Sequence, residues 1–202
     1  MEKLEAISSI VVRQYKEWGE IITGFETKNR YSIEDLHGQQ LHVAAEASGS
    51  TMMRIFLRSL RPFTIGIFSG ADDIVLLTIT RPFRWYFHRV VVKDGEGRLL
   101  GIVERQFSML NRKYVVSPDG GLEHYYIEGP LLSPWTFYIK DSEGVEHGKI
   151  TKKWSGLFKE AFSDADNFGV TWPAQWNTTL KSLMLGAVFL IDFIHFENKA
   201  HR

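Results

Sequence analysis

Apolar and polar positions alternate along most of this chain. Over TGFETKNRYSIEDLHGQQLHVAAE, RPFTIGIFSGADDIVLLTITRPFRWYFHRVVV and the stretch from Leu122 to Gly129, segments rich in Val, Ile, Phe, Tyr and Thr are divided by Gly, Asp and Asn. Side chains of a strand alternate between two faces, so the pattern predicts short strands with close turns and an all-β barrel or sandwich. A repeat supports a sheet assembled from hairpins. Val92, Lys93, Asp94, Gly95, Glu96 and Gly97, followed by Gly101, recur as Ile139, Lys140, Asp141, Ser142, Glu143 and Gly144, followed by Gly148. Each copy orders strand, acidic turn, strand and then an aromatic, Phe107 or Trp154. This reads as a hairpin unit duplicated inside one closed sheet.

The last quarter breaks the alternation. From Leu180 to Phe196, LKSLMLGAVFLIDFIHF carries strong helix formers and apolar side chains on all faces. This predicts a helix over about 178–197, with Asn177 or Thr178 as its cap. A helix apolar all round must be surrounded, by protein or by lipid. Crossing a bilayer takes about 20 apolar residues, and the charge-free part, Ser182 to Ile191, is roughly half that. Lys181 could snorkel, but Asp192 would lie inside the hydrocarbon at a cost of about 2.5 kcal/mol or more. A buried helix is therefore the expectation, with Leu183, Leu185, Val188, Phe189, Ile191 and Phe193 lining the interior of a closed barrel.

Composition narrows the class. The chain has 202 residues, 44% hydrophobic and 13% aromatic, with 24 basic against 24 acidic side chains. One folded domain over residues 1–202 fits these values, and charge balance points away from nucleic acid. With no cysteine there is no disulfide, thiolate metal site or thioester-linked acyl anchor. The start, MEKLEAISSIVVRQYKEW, reads as a mature cytosolic N-terminus. Nucleophile elbow, P-loop, HExxH and dinucleotide signatures are missing, so an enzyme is not expected. The histidines are scattered; His37 and His42 are the nearest pair and have no third ligand close in sequence.

Several blocks carry a resemblance. They are Ile22 to Tyr31 (ITGFETKNRY), Leu60 to Thr64 (LRPFT), Thr80 to Pro82 (TRP), Gly148 to Gly156 (GKITKKWSG), Glu160 to Gly169 (EAFSDADNFG) and Met184 to Phe193 (MLGAVFLIDF). Occurring in order along nearly the whole chain, they resemble the phospholipid scramblase family, whose domain is related in fold to the tubby C-terminal domain. The resemblance implies a closed barrel of about twelve strands around a central C-terminal helix, in agreement with the hydrophobic pattern. It also implies calcium-responsive movement of phospholipids between leaflets. The competing expectation is a soluble or peripheral module that binds lipid or phosphoinositide, or serves as an adaptor for protein partners. Either would be cytoplasmic and peripheral to, or inserted in, a membrane.

Animal members of that family carry a cysteine-rich run where this chain reads Phe-Arg-Trp-Tyr-Phe-His-Arg after Arg81 and Pro82. Arg81, Arg84 and Arg89 interleaved with Trp85, Tyr86 and Phe87 suit an interfacial membrane contact, because amphipathic rings favour the headgroup level and guanidinium groups pair with phosphates. The alternative is a strand with rings inward and arginines in water. Lys149, Lys152 and Lys153 resemble a segment that serves nuclear import in some members; they also suit lipid phosphates or a solvated sheet edge.

The family resemblance marks the acidic turn as a calcium site. Counted from Asp164, Asp166 falls at the third loop position, Phe168 at the fifth, Val170 at the seventh, Trp172 at the ninth and Gln175 at the twelfth. Phe168, Val170 and Trp172 could offer only carbonyls, and Gln175 replaces the bidentate acid, so a weak calcium site is expected. Asx turns or a helix cap at Asp164 and Asp166 are the alternative.

Overall fold

A computed structural model of the chain describes residues 1–15, 29–47, 62–69, 74–121, 123–152 and 167–196. A short 3-10 turn, Glu2–Leu4, precedes twelve strands. These are β1 Ser9–Tyr15, β2 Arg30–Glu34, β3 Gln40–Glu46, β4 Phe63–Phe68, β5 Val75–Arg81 and β6 Arg89–Asp94. They continue as β7 Leu99–Gln106, β8 Asn111–Pro118, β9 Tyr125–Pro130, β10 Thr136–Lys140, β11 Glu146–Lys152 and β12 Asn167–Thr171. Every strand pairs antiparallel with its neighbours in sequence, and β1 closes on β12. Helix α1, Thr178–His195, follows.

Closure leaves no unpaired edge among these strands. Inward positions follow the period of two: Phe63, Ile65 and Ile67 on β4, Leu77 and Ile79 on β5, Val90 and Val92 on β6 are all buried. Their surface is covered by α1, which occupies the barrel interior. Leu183, Leu185, Val188, Phe189, Ile191 and Phe193 are each at most 1% exposed. Contacts reach around the wall: Phe189 meets Tyr31 of β2 edge to face with centroids 5.0 Å apart, and Phe193 meets Phe63 of β4 at 4.0 Å. By length and composition α1 could cross a membrane, yet 78% of it is buried inside the protein. Asn177 caps it, its side chain accepting from Leu180 N at 2.8 Å.

The repeated turn has a physical basis and a third copy. Asp94 Oδ1 accepts from the amides of Glu96 and Arg98, and Asp141 Oδ1 accepts from those of Glu143 and Val145. In the β2–β3 hairpin Asp35 Oδ1 accepts from His37 and Gln39 in the same way. Each Asp is followed three residues later by glycine at positive φ, Gly38 at 79° and Gly97 and Gly144 at 84°. This is the type I turn with a left-handed residue that a three-residue hairpin loop takes.

Candidate functional site

Because strands alternate in direction, every second loop lies at the same end of the barrel. The β2–β3, β6–β7 and β10–β11 turns share one end with the start of α1. The loops β5–β6, β7–β8 and β9–β10 share the other, where α1 finishes.

A charged side chain pins the helix at each end. Near its start, the fully buried Lys181 donates from Nζ to the carbonyls of Leu4 at 2.9 Å, Glu5 at 2.5 Å and Ala174 at 2.8 Å. Burial pushes the ammonium below its ordinary pKa, opposed by the carboxylate of Glu5. Near its finish, Asp192 Oδ1 accepts from Lys152 Nζ at 3.1 Å, with both side chains buried. Lys152 also lies over the rings of Phe196 and Phe168, 4.4 and 4.9 Å from their centroids. One turn on, His195 Nε2 and the hydroxyl of Tyr114 stand 2.6 Å apart.

Lys152 is thus not on the surface with Lys149. Alternation along β11 puts Lys152 on the inner face shared with Ile150, whereas Lys149 is partly exposed on the outer face. Lys153 lies outside the described residues. Arg81, expected at a membrane contact, is turned inward for the same reason: it shares the inner face of β5 with Leu77 and Ile79, is 1% exposed, and sits 2.9 Å from His88 Nδ1. Burial, then Arg81 and Arg105, lower the His88 pKa from 6.5 to about 4.

The aromatic segment beyond Arg81 is a loop, not a strand with its rings inward. Phe83, Trp85, Tyr86 and Phe87 are exposed, Tyr86 by 80%, while Arg84 and Arg89 are partly exposed. Phe87 holds a left-handed φ of 53°, and Phe83 meets Trp85 edge to face at 5.4 Å. The two following loops at this end carry exposed apolar residues not foreseen from sequence: Phe107, Met109 and Leu110, then Leu131 and Leu132. Their signal was apolar side chains at turn positions that are ordinarily polar.

A family model described as Scramblase matches residues 1–198. The chain belongs to the scramblase family. It is 33% identical to phospholipid scramblase 1 of Homo sapiens, over 98% of this chain and 66% of that protein. Identity to phospholipid scramblase 1 of Mus musculus is 34%, over 98% of this chain and 63% of the relative, so under two thirds of each is spanned. Phospholipid scramblase family member 5 of Homo sapiens is 31% identical over 98% of this chain and 77% of its own length. No solved structure matches.

In this scramblase-family barrel the described residues of the counted calcium loop, Phe168, Val170, Trp172 and Gln175, do not gather around a common point. Phe168 and Val170 lie in β12, paired with β1 on one side and β11 on the other, so their carbonyls face neighbouring strands. Trp172 is buried, its amide donating to Ser8 O and its indole to Ile7 O. Gln175 is exposed in the turn before α1. An extended strand cannot wrap six or more oxygens around a cation. Asp164 and Asp166 lie outside the described residues, and among the described residues no three His, Cys, Asp or Glu side chains group as metal ligands.

Proposed function

We propose that this chain moves phospholipids between the leaflets of a membrane, working as a barrel at the bilayer surface with α1 kept inside it. The observation that carries the reading is the Scramblase match over residues 1–198, together with relatives named phospholipid scramblases. The pinned helix shapes it: inserting α1 into lipid would break the Lys152–Asp192 pair and free Lys181 from three carbonyls, leaving charges in hydrocarbon. Lipid contact falls instead to Arg84 with Trp85, Tyr86 and Phe87. Rings wedged at the headgroup level loosen lipid packing, which lowers the barrier to headgroup passage. No step runs through calcium; any response to that ion is left to Asp164 and Asp166.

The test is dithionite quenching of fluorescent phospholipids in vesicles reconstituted with the chain. Quenching beyond the outer-leaflet fraction is expected. If only the outer half quenches while the protein is bound, the second reading takes over: a peripheral lipid-binding or adaptor module, which the enclosed helix favours.

A further inference from the structure

Among the described residues, three loops at one end of the barrel carry the most exposed large apolar side chains. Beside the aromatic β5–β6 loop, Phe107 is 80% exposed, Met109 83% and Leu110 78% in the β7–β8 loop; Leu131 is 62% and Leu132 98% exposed in the β9–β10 loop. Single exposed apolar residues need no explanation, but a contiguous set does. Successive loops here are two strand spacings apart, about 10 Å along the rim, so their tips form one surface.

Each loop is braced from beneath. Arg81 and His88 stand 2.9 Å apart across the base of the first. Ser108 Oγ accepts from Asn111 N in the second. In the third, the guanidinium of Arg112 donates to the carbonyls of Gly129, Pro130, Ser133 and Pro134 and stacks over Phe137 at 4.3 Å. A guanidinium committed to four carbonyls fixes a loop that then holds two leucines in water.

We infer that this end of the barrel docks onto the surface of a bilayer containing anionic phospholipid, with the three apolar tips entering the headgroup layer and α1 pointing its C-terminus at the membrane. Charge complementarity selects the occupant. The loops 82–88, 107–110 and 131–135 contain Arg84 and no Asp or Glu. The hairpin turns at the opposite end carry Asp35, Asp94 and Glu96 with Arg98, and Asp141 with Glu143, an acidic balance, so among the described loops an anionic surface attracts the apolar three and repels these turns. Tryptophan and tyrosine beside arginine suit the headgroup level, and leucine and methionine the acyl boundary beneath it. The inference rests on the membrane reading above and adds which face meets the lipid and what lipid charge it prefers.

Co-sedimentation with vesicles of phosphatidylcholine, with and without phosphatidylserine, tests it. Wild-type chain should bind, and more tightly with phosphatidylserine present. Met109→Glu with Leu132→Glu should weaken binding by about tenfold or more, since two apolar tips no longer leave water. Val145→Glu, at a 53% exposed site in an opposite-end turn, should leave it unchanged. Arg84→Gln should reduce the phosphatidylserine preference. Should the double variant unfold, Leu132→Ser at the 98% exposed tip gives the same reading by partial loss. Wild-type chain that ignores vesicles, or a folded double variant that binds like wild type, overturns the inference. Lipid movement that persists unchanged in the double variant overturns docking alone; binding through these tips without lipid movement overturns the translocation proposal alone.

Discussion

Where α1 enters the barrel, three hairpins close with an aspartate accepting two backbone amides and a glycine at positive φ. Where α1 leaves, the connecting loops present Trp85, Tyr86, Met109 and Leu132 to the outside. The strands at the two ends are the same strands, so the sheet does not impose the difference. Turn chemistry at the first end satisfies the backbone and keeps the chain in water. At the second it is supplied from below, by Arg81, Ser108 and Arg112, which frees the tips to be apolar. Local stability and surface contact are thus assigned to opposite ends, and substitutions should separate them.

The largest effect is expected inside the second end. Asp192→Ala removes the partner that buried Lys152 holds at 3.1 Å, and breaking a buried ion pair costs about 3–5 kcal/mol. Chemical denaturation should show that loss, while Asp192→Leu combined with Lys152→Met should recover most of it, because a well-packed apolar pair replaces an ion pair at little cost. If Asp192→Ala matches wild type in stability, α1 is not locked into the barrel by this pair.

Acid should weaken the first end next. Burial, then the N-terminal charge and Lys3, lower the His42 pKa from 6.5 to about 4. A depressed folded-state pKa means that folding disfavours the proton, so the stability contribution is complete above pH 6.5 and lost as pH falls toward about 4. The shift corresponds to something on the order of 3 kcal/mol for His42, which is 2% exposed. His88, at the second end beside Arg81 and Arg105, titrates in the same direction. Melting temperatures recorded down this range should fall, and His42→Gln should flatten the part due to His42.

Strand and helix classes were legible because both depend on period. Alternation marked the barrel wall, and Leu180 to Phe196 was apolar on every face with Asp192 too deep for lipid. The same period would have turned Lys152 inward with Ile150 and Arg81 inward with Ile79, had residue type not been allowed to outvote position. The carbonyl positions counted toward a calcium loop yield to the same period: Phe168 and Val170 belong to a strand paired on both sides. The third turn escaped notice because Asp35 and Gly38 keep the hydrogen-bonding pattern while their flanks differ from the other copies. Leu131 and Leu132 were hidden because what exposes them is Arg112, nineteen or more positions upstream and joined only through the β8–β9 pairing.

Close approach between strands gives a smaller effect. A Cβ at Gly148 would collide with the carbonyl oxygen of Thr171, and one at Gly101 with that of Ser117, both backbone atoms. Gly148→Ala should therefore cost about 1–3 kcal/mol of overpacking strain, read as a lower denaturation midpoint. Since Gly148 follows an opposite-end turn, vesicle binding by the folded fraction should not change.

The smallest effect, and the finest test of the division between ends, is a turn substitution. Asp94→Ala removes the acceptor for the amides of Glu96 and Arg98 and the partner that Arg98 Nε reaches at 2.7 Å. Water can serve those exposed amides in its place, so the melting temperature should drop less than for Gly148→Ala. Removing a negative charge from this end also weakens its repulsion from anionic lipid, but the tips at the far end still set the contact. Vesicle affinity should therefore hold or rise slightly at low salt, and converge with wild type as screening increases. A clear loss of binding in Asp94→Ala would mean that the acidic turns themselves touch the membrane, and the assignment of the two ends would have to be reversed.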